Sequence, residues 1–120
     1  MQVNNNGVIS FSQPVLEYTP VSFPLGSGLQ LISPYWADVD TRGTGTVWFR
    51  DTTNLDILRR TMRDVQMAFA NQINFQPLFA FIATWDRVGY FSNHTDLVSI
   101  CIGTCTHNMS IVLYTCCIVI

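Results

Sequence analysis

Asp38 and Asp40 stand two residues apart. In an extended segment both carboxylates project to one face, and with Asp86 and backbone carbonyls they offer the hard oxygen donors that a cation such as Ca²⁺ takes. The plainer expectation is that Asp40 caps the turn at 41–43 and that Asp38 pairs with an arginine. Asp86-Arg87 after an apolar run has the place of a reactive strand end, but it reads as an ion pair that starts a loop. Cys101, Cys105 and His107 with Cys116 or Cys117 supply four nitrogen and sulfur ligands. Their spacing, with an adjacent Cys-Cys pair, fits no common zinc finger, and buried or disulfide-paired cysteines are the alternative. His94 and His107 lie in polar, turn-like stretches without a nucleophile motif, so no catalytic residue is assigned. Gly43 and Gly45 precede a strand and not a helix, which excludes a phosphate-binding loop. Asn93-His94-Thr95 and Asn108-Met109-Ser110 are glycosylation sequons. Tyr35, Trp36 and the turn to Arg42 are the candidates for a protein interface, Tyr and Trp being large, rigid contact residues.

The elements that must position these residues are mostly strands. Asn4-Asn5-Asn6-Gly7 signals a turn, and Ile9 and Phe11 then alternate onto one face, so a hairpin enters a sheet. Residues 13–28 carry too many prolines and glycines for a regular element and are expected to form a loop packed on the core through Leu16, Tyr18, Phe23 and Leu25. Short extended runs follow at 29–32 and 35–39. Residues 46–50 alternate with Val47 and Phe49 on one face and Trp48 on the other, which suggests the return strand of a hairpin. Leu58, Met62, Val65 and Phe69 recur at helical spacing opposite Arg59, Arg60, Arg63, Asp64 and Gln66, predicting an amphipathic helix over about residues 54–70. Thr53 with Asp56 resembles a capping box at its start. Residues 78–85 are apolar on both faces, as in a central strand covered on each side. Strands are also expected at 88–91 and 97–102, and residues 108–120 are rich in β-branched types. The fold class predicted is α+β, a mostly antiparallel sheet with one amphipathic helix.

A chain of 120 residues is the size of one domain. Apolar residues make up 48 % and charged residues 12 %, which predicts a large core under a thinly charged surface. Eight acidic and six basic side chains, none of them lysine, give a net charge of −2 and no basic field for nucleic acid. Met1 and the asparagines after it lack the cationic start and apolar stretch of a secretory signal. The apolar run at 111–120 is about half the length that a membrane helix needs, so no membrane insertion of this segment is expected.

Several motifs follow one another in an order that resembles a known family. Val3-Asn4-Asn5-Asn6-Gly7-Val8-Ile9-Ser10-Phe11, Phe23-Pro24-Leu25, and Pro34-Tyr35-Trp36-Ala37-Asp38-Val39-Asp40 come first. Gly45-Thr46-Val47-Trp48-Phe49-Arg50 and, beyond the helix, Phe81-Ile82-Ala83-Thr84-Trp85-Asp86-Arg87-Val88-Gly89-Tyr90-Phe91 continue the series. Together they resemble the nidogen-like extracellular (NIDO) domain, in its alpha-tectorin-like form. After Asp96 only residues 109–114 fit the family pattern, and residues 97–120, which hold every cysteine, are divergent. The resemblance implies a single domain over 1–120, incomplete at both ends, of a larger matrix or membrane-anchored protein. It implies cell–matrix adhesion, matrix or cell-surface protein partners, an extracellular location with the signal peptide outside this chain, and no cofactor. The rival readings are a metal-dependent enzyme built on Asp38, Asp40 and Asp86, and a non-functional gene fragment with bare apolar edges.

Overall fold

The computed structural model describes residues 1–25, 28–92, 98–107 and 110–119, the last two stretches as backbone strands. Three short strands, β1 (Gln2–Val3), β2 (Ile9–Ser10) and β3 (Leu31–Ile32), make a small antiparallel sheet in the order β1-β2-β3. β4 (Val39–Asp40), β5 (Thr46–Thr52), β6 (Phe79–Tyr90), β7 (Val98–His107) and β8 (Ser110–Val119) make a larger one around β6, with α1 (Leu55–Ala68) between β5 and β6. The architecture is α+β with antiparallel pairing throughout. The expected hairpin between the 35–39 and 46–50 runs does not form. β4 pairs with residues 89–90 of β6 and β5 with residues 80–86, so the two lie end to end along one edge of β6 while β7 takes the other.

β6 is the central strand that its two apolar faces require. Phe81, Ala83 and Trp85 alternate onto one face and pack with Ile9 and Val88; Ala80 points to the other and packs with Val65 and Phe75 under α1. Val88 shares the Trp85 face although strict alternation would put it opposite. The register shift between Trp85 and Val88 inserts one residue, and Arg87 takes φ 50 there, so the side-chain parity flips. Residues 88–91, expected as a separate strand, therefore continue β6 as far as Tyr90. A glycine is needed beside this bulge. A Cβ on Gly45, itself at φ +82, would stand 2.6 Å from the Arg87 carbonyl oxygen and from the Val88 Cα.

The helix begins one residue later than the sequence suggests, because Asn54 and not Thr53 is its cap. The Asn54 Oδ1 accepts from the backbone N–H groups of Asp56 at 3.0 Å and Ile57 at 3.2 Å, filling two of the donors that a helix start leaves open. Asp56 still sits in the first turn, where its charge suits the helix dipole. Arg59 and Arg60 pair with Asp56 and Asp64 on the wet side. Val65 is buried, and Leu58 and Met62 are half-buried, as the spacing predicts. Phe69 is not part of the buried face. The helix ends at Ala68, Phe69 is 47 % exposed, and Phe75 fills the space against Val65 and Ala80. Gln66 fixes that return by donating from Nε2 to the carbonyls of Ile73 and Phe75.

The described part of the 13–28 loop covers less of the core than expected. Val15 is buried, but Leu16, Tyr18, Val21 and Phe23 are exposed. Asn54→Ala should lower the unfolding free energy by about 1 kcal/mol in urea melts followed by circular dichroism, with Thr53→Ala near neutral. The reverse ranking would restore Thr53 as the cap.

Candidate binding surface

The polar residues at 4–7 hold the domain together. Asn4 closes its own turn, its N–H donating to the Val8 carbonyl and its Oδ1 accepting from the Val8 N–H, both at 2.9 Å. The carbonyl of Asn4 accepts from the indole Nε1 of Trp85 at 2.9 Å, across 81 residues of sequence. Asn5 accepts from the Tyr35 hydroxyl at its carbonyl and donates from Nδ2 to the Thr41 Oγ1. Asn6 accepts from the Val39 N–H at its Oδ1 and from the Ala37 N–H at its carbonyl. The turn therefore acts as a strip of acceptors along which residues 35–41 are laid. Gly7 closes it at φ +85, where a Cβ would lie 2.5 Å from the Tyr35 carbonyl oxygen and 2.6 Å from its ring.

This arrangement decides what Tyr35 and Trp36 do. Tyr35 meets Trp85 edge to face at 5.5 Å between ring centroids, and burial pushes its phenol well above the ordinary tyrosine value. It belongs to the scaffold. Trp36 donates from Nε1 to the Glu17 carbonyl and meets Phe23 edge to face at 6.3 Å, so it anchors the proline-containing loop. Arg42 is different, because its side chain is 78 % exposed while that of Asp40 is 12 % exposed. Arg42 donates to the Asp40 carboxylate from Nε at 2.8 Å and from a terminal nitrogen at 2.6 Å, and its backbone N–H donates to the same carboxylate. Its guanidinium carbon lies 5.8 Å from the centre of the Phe91 ring, within cation–π range. Asp40, Arg42, Gly43, Phe91 and Ser92 line an open depression of about 610 Å³.

The three acidic residues considered for a cation have separate roles. Asp40 holds Arg42, the Asp86 carboxylate lies 3.5 Å from the Arg87 guanidinium, and the Asp38 carbonyl accepts from the Phe91 N–H at 2.8 Å. Among the described residues no three His, Cys, Asp or Glu side chains are placed to hold a metal ion. Asn93 and Asn108, the sequon asparagines, and His94 lie outside the described residues. The cysteines take register positions on β7 and β8, with Cys101 opposite Cys117. Phe91 and the acceptor role of Asn5 and Asn6 were missed in the sequence. The adjacency of three asparagines before a glycine was their one signal, and it was read only as a turn.

The ordered motifs, the Trp85-to-Asn4 closure and the β6-centred sheet define a β-rich module with a single helix. The family model of the nidogen-like domain matches residues 1–112, and the chain belongs to that family. It is 42 % identical to mouse (Mus musculus) alpha-tectorin over 89 residues, 74 % of this chain and 4 % of that protein. It is 36 % identical to human (Homo sapiens) nidogen-1 over 88 residues and 33 % identical to the nidogen of Drosophila melanogaster over 100 residues. These matches cover 72 % and 80 % of this chain, but 7 % of each relative. Alpha-tectorin and the nidogens are extracellular matrix proteins. No solved structure matches the chain significantly.

Gly7→Ala should cost at least about 2 kcal/mol of unfolding free energy, from the left-handed backbone and the collision with Tyr35. Thermal melts of the two proteins measure it, and an unchanged midpoint would show that the turn has room. The paired Arg42 holds the Asp40 carboxyl down to about 2, below its ordinary 3.8. The stabilisation from this pair is therefore fully present above the ordinary value and is lost as pH falls through about 2. A carboxyl NMR titration should find that low value and see it return toward 3.8 in Arg42→Ala.

Proposed function

We propose that this chain is a non-catalytic binding module of the extracellular matrix. It engages matrix or cell-surface proteins through the surface around Arg42 and Phe91. The observation that carries this reading is the Arg42 guanidinium, pinned by Asp40, lying on Phe91 and open to solvent. Arginine and aromatic residues dominate interface hot spots, and a guanidinium already fixed in place loses little entropy on binding. Membership of the nidogen-like family and the matrix location of the relatives support the same reading. Adhesion requires the protein to reach the cell exterior, and the sequons at Asn93 and Asn108 suit passage through the secretory route. The candidate carboxylates offer nothing comparable for a metal-dependent reaction: Asp40 is bound to Arg42, Asp86 lies beside Arg87, and among the described residues no three possible ligands are placed to hold a metal ion.

Secreted from animal cells behind a leader, the 120-residue chain is expected to be glycosidase-sensitive and to bind cell-laid matrix saturably. Replacing Arg42 and Phe91 together by alanine should weaken that binding about tenfold or more. Loss of the Asp40–Arg42 pair lowers the melting midpoint somewhat, so binding is compared at a temperature where melts show both proteins fully folded. Phe91→Ala alone, at an exposed ring, should weaken binding with little change in the midpoint. Saturable binding that ignores the double variant would place the interface elsewhere. A secreted, folded chain without saturable binding would overturn the reading.

A further inference from the structure

We infer that β5 is a self-complementary edge through which two copies of this chain pair antiparallel, extending the sheet across a two-fold axis at Phe49. One edge of β5 is bonded to β6 from Thr46 to Thr52, and its other edge pairs with no strand among the described residues. Such an edge presents a row of free N–H and C=O groups, and proteins usually blunt it with charged side chains, proline or a bulge. β5 has no proline and an unbroken register against β6, and its two charges, Arg50 and Asp51, stand together near one end of Thr46-Val47-Trp48-Phe49-Arg50-Asp51-Thr52. Trp48 is 62 % and Phe49 61 % exposed, large apolar groups on opposite faces of an open edge.

The strand's own order selects the second copy as its occupant. When two like strands pair about an axis perpendicular to the sheet, residues directly opposite must share a face, so their numbers sum to an even value. The pairing centred on Phe49 uses the whole strand, with Thr46 opposite Thr52, Val47 opposite Asp51 and Phe49 opposite itself. It sets Trp48 across from Arg50 twice, at the short cross-strand spacing where an indole and a guanidinium attract. Shifting the centre to Arg50 would bring two like charges face to face. Arg50 and Asp51 form no ion pair among the described residues, so Arg50 is free to serve the partner's Trp48. The argument uses β5 alone and neither Arg42 nor Phe91, so this inference does not rest on the proposed function.

Sedimentation of the 120-residue chain over a concentration series, with amide exchange in parallel, tests it. A monomer–dimer equilibrium is expected, with the amides of β5 gaining protection as the dimer fills. Trp48→Arg places two arginines opposite each other and should raise the dissociation constant at least about fivefold, whereas Trp48→Glu, facing Arg50, should keep the dimer. Circular dichroism melts of both variants establish that each is folded before comparison. A monomer at every concentration overturns the inference. So does a dimer indifferent to Trp48→Arg, or protection absent from β5. In a longer form of the protein, β5 amides protected in a monomer would assign the edge to another strand of the same chain and likewise overturn it.

Discussion

The domain depends on a supply of backbone acceptors at residues 4–6. Residues 33–41 cross the molecule with only Val39 and Asp40 in a strand, so most of their N–H groups have no ladder to join, and a half-buried donor left unpaired is costly. The asparagine turn answers this by taking the Ala37 and Val39 donors on Asn6 and the Tyr35 hydroxyl on Asn5. Asn4 receives the Trp85 indole, which joins the small sheet to the large one. Short amide side chains suit the task because their carbonyl oxygens accept close to the main chain while their own backbone turns. Without this turn, the 35–41 segment would have lost its docking partners and Trp85 would carry an unsatisfied N–H in a wholly apolar setting.

β6 then converts that local order into a layout for the whole chain. Its first half runs apolar on both faces between α1 and the Ile9 cluster, and the bulge at Arg87 shifts parity so that Val88 stays inside. Beyond the bulge, β4 pairs with residues 89–90 and the Phe91 N–H donates to the Asp38 carbonyl, which is how Phe91 comes to lie against Arg42 although the two are far apart in sequence. The bare backbone of Gly45 makes room for the bulge that precedes this pairing.

Much of this was visible in the sequence where a single period governed a single element. The helix stood out because Leu58, Met62 and Val65 share one stripe, and β6 because residues 78–85 are apolar without interruption. The motif order also carried the family. What failed were relations between elements. The hairpin expected between residues 35–39 and 46–50 rested on proximity in the chain, but β6 offered both segments a longer apolar partner. Thr53 and Asn54 are both good caps, and only backbone geometry decides between them. Phe69 fitted the stripe by spacing, but the return of Phe75 filled its place. Tyr35 and Trp36 were interface candidates by residue type alone, and the structure adds that both are half-buried with their polar atoms bonded to Asn5 and Glu17.

Those hydrogen bonds bear on what family membership can say about binding. Several of the motifs that carry the nidogen-like resemblance have polar groups consumed inside the domain: the asparagine turn, Tyr35 and Trp36, the Asp40 carboxylate and Trp85. A group already satisfied within the fold has little left to offer a partner, since any new bond must first break an old one. In the reading proposed above, recognition falls to exposed side chains, the Arg42 guanidinium and the Phe91 ring, and to the outer edge of β5, which pairs with no strand among the described residues. The shared motifs fix where these features stand, and their own chemistry, cationic and aromatic at one place and strand-forming at the other, sets what each can hold.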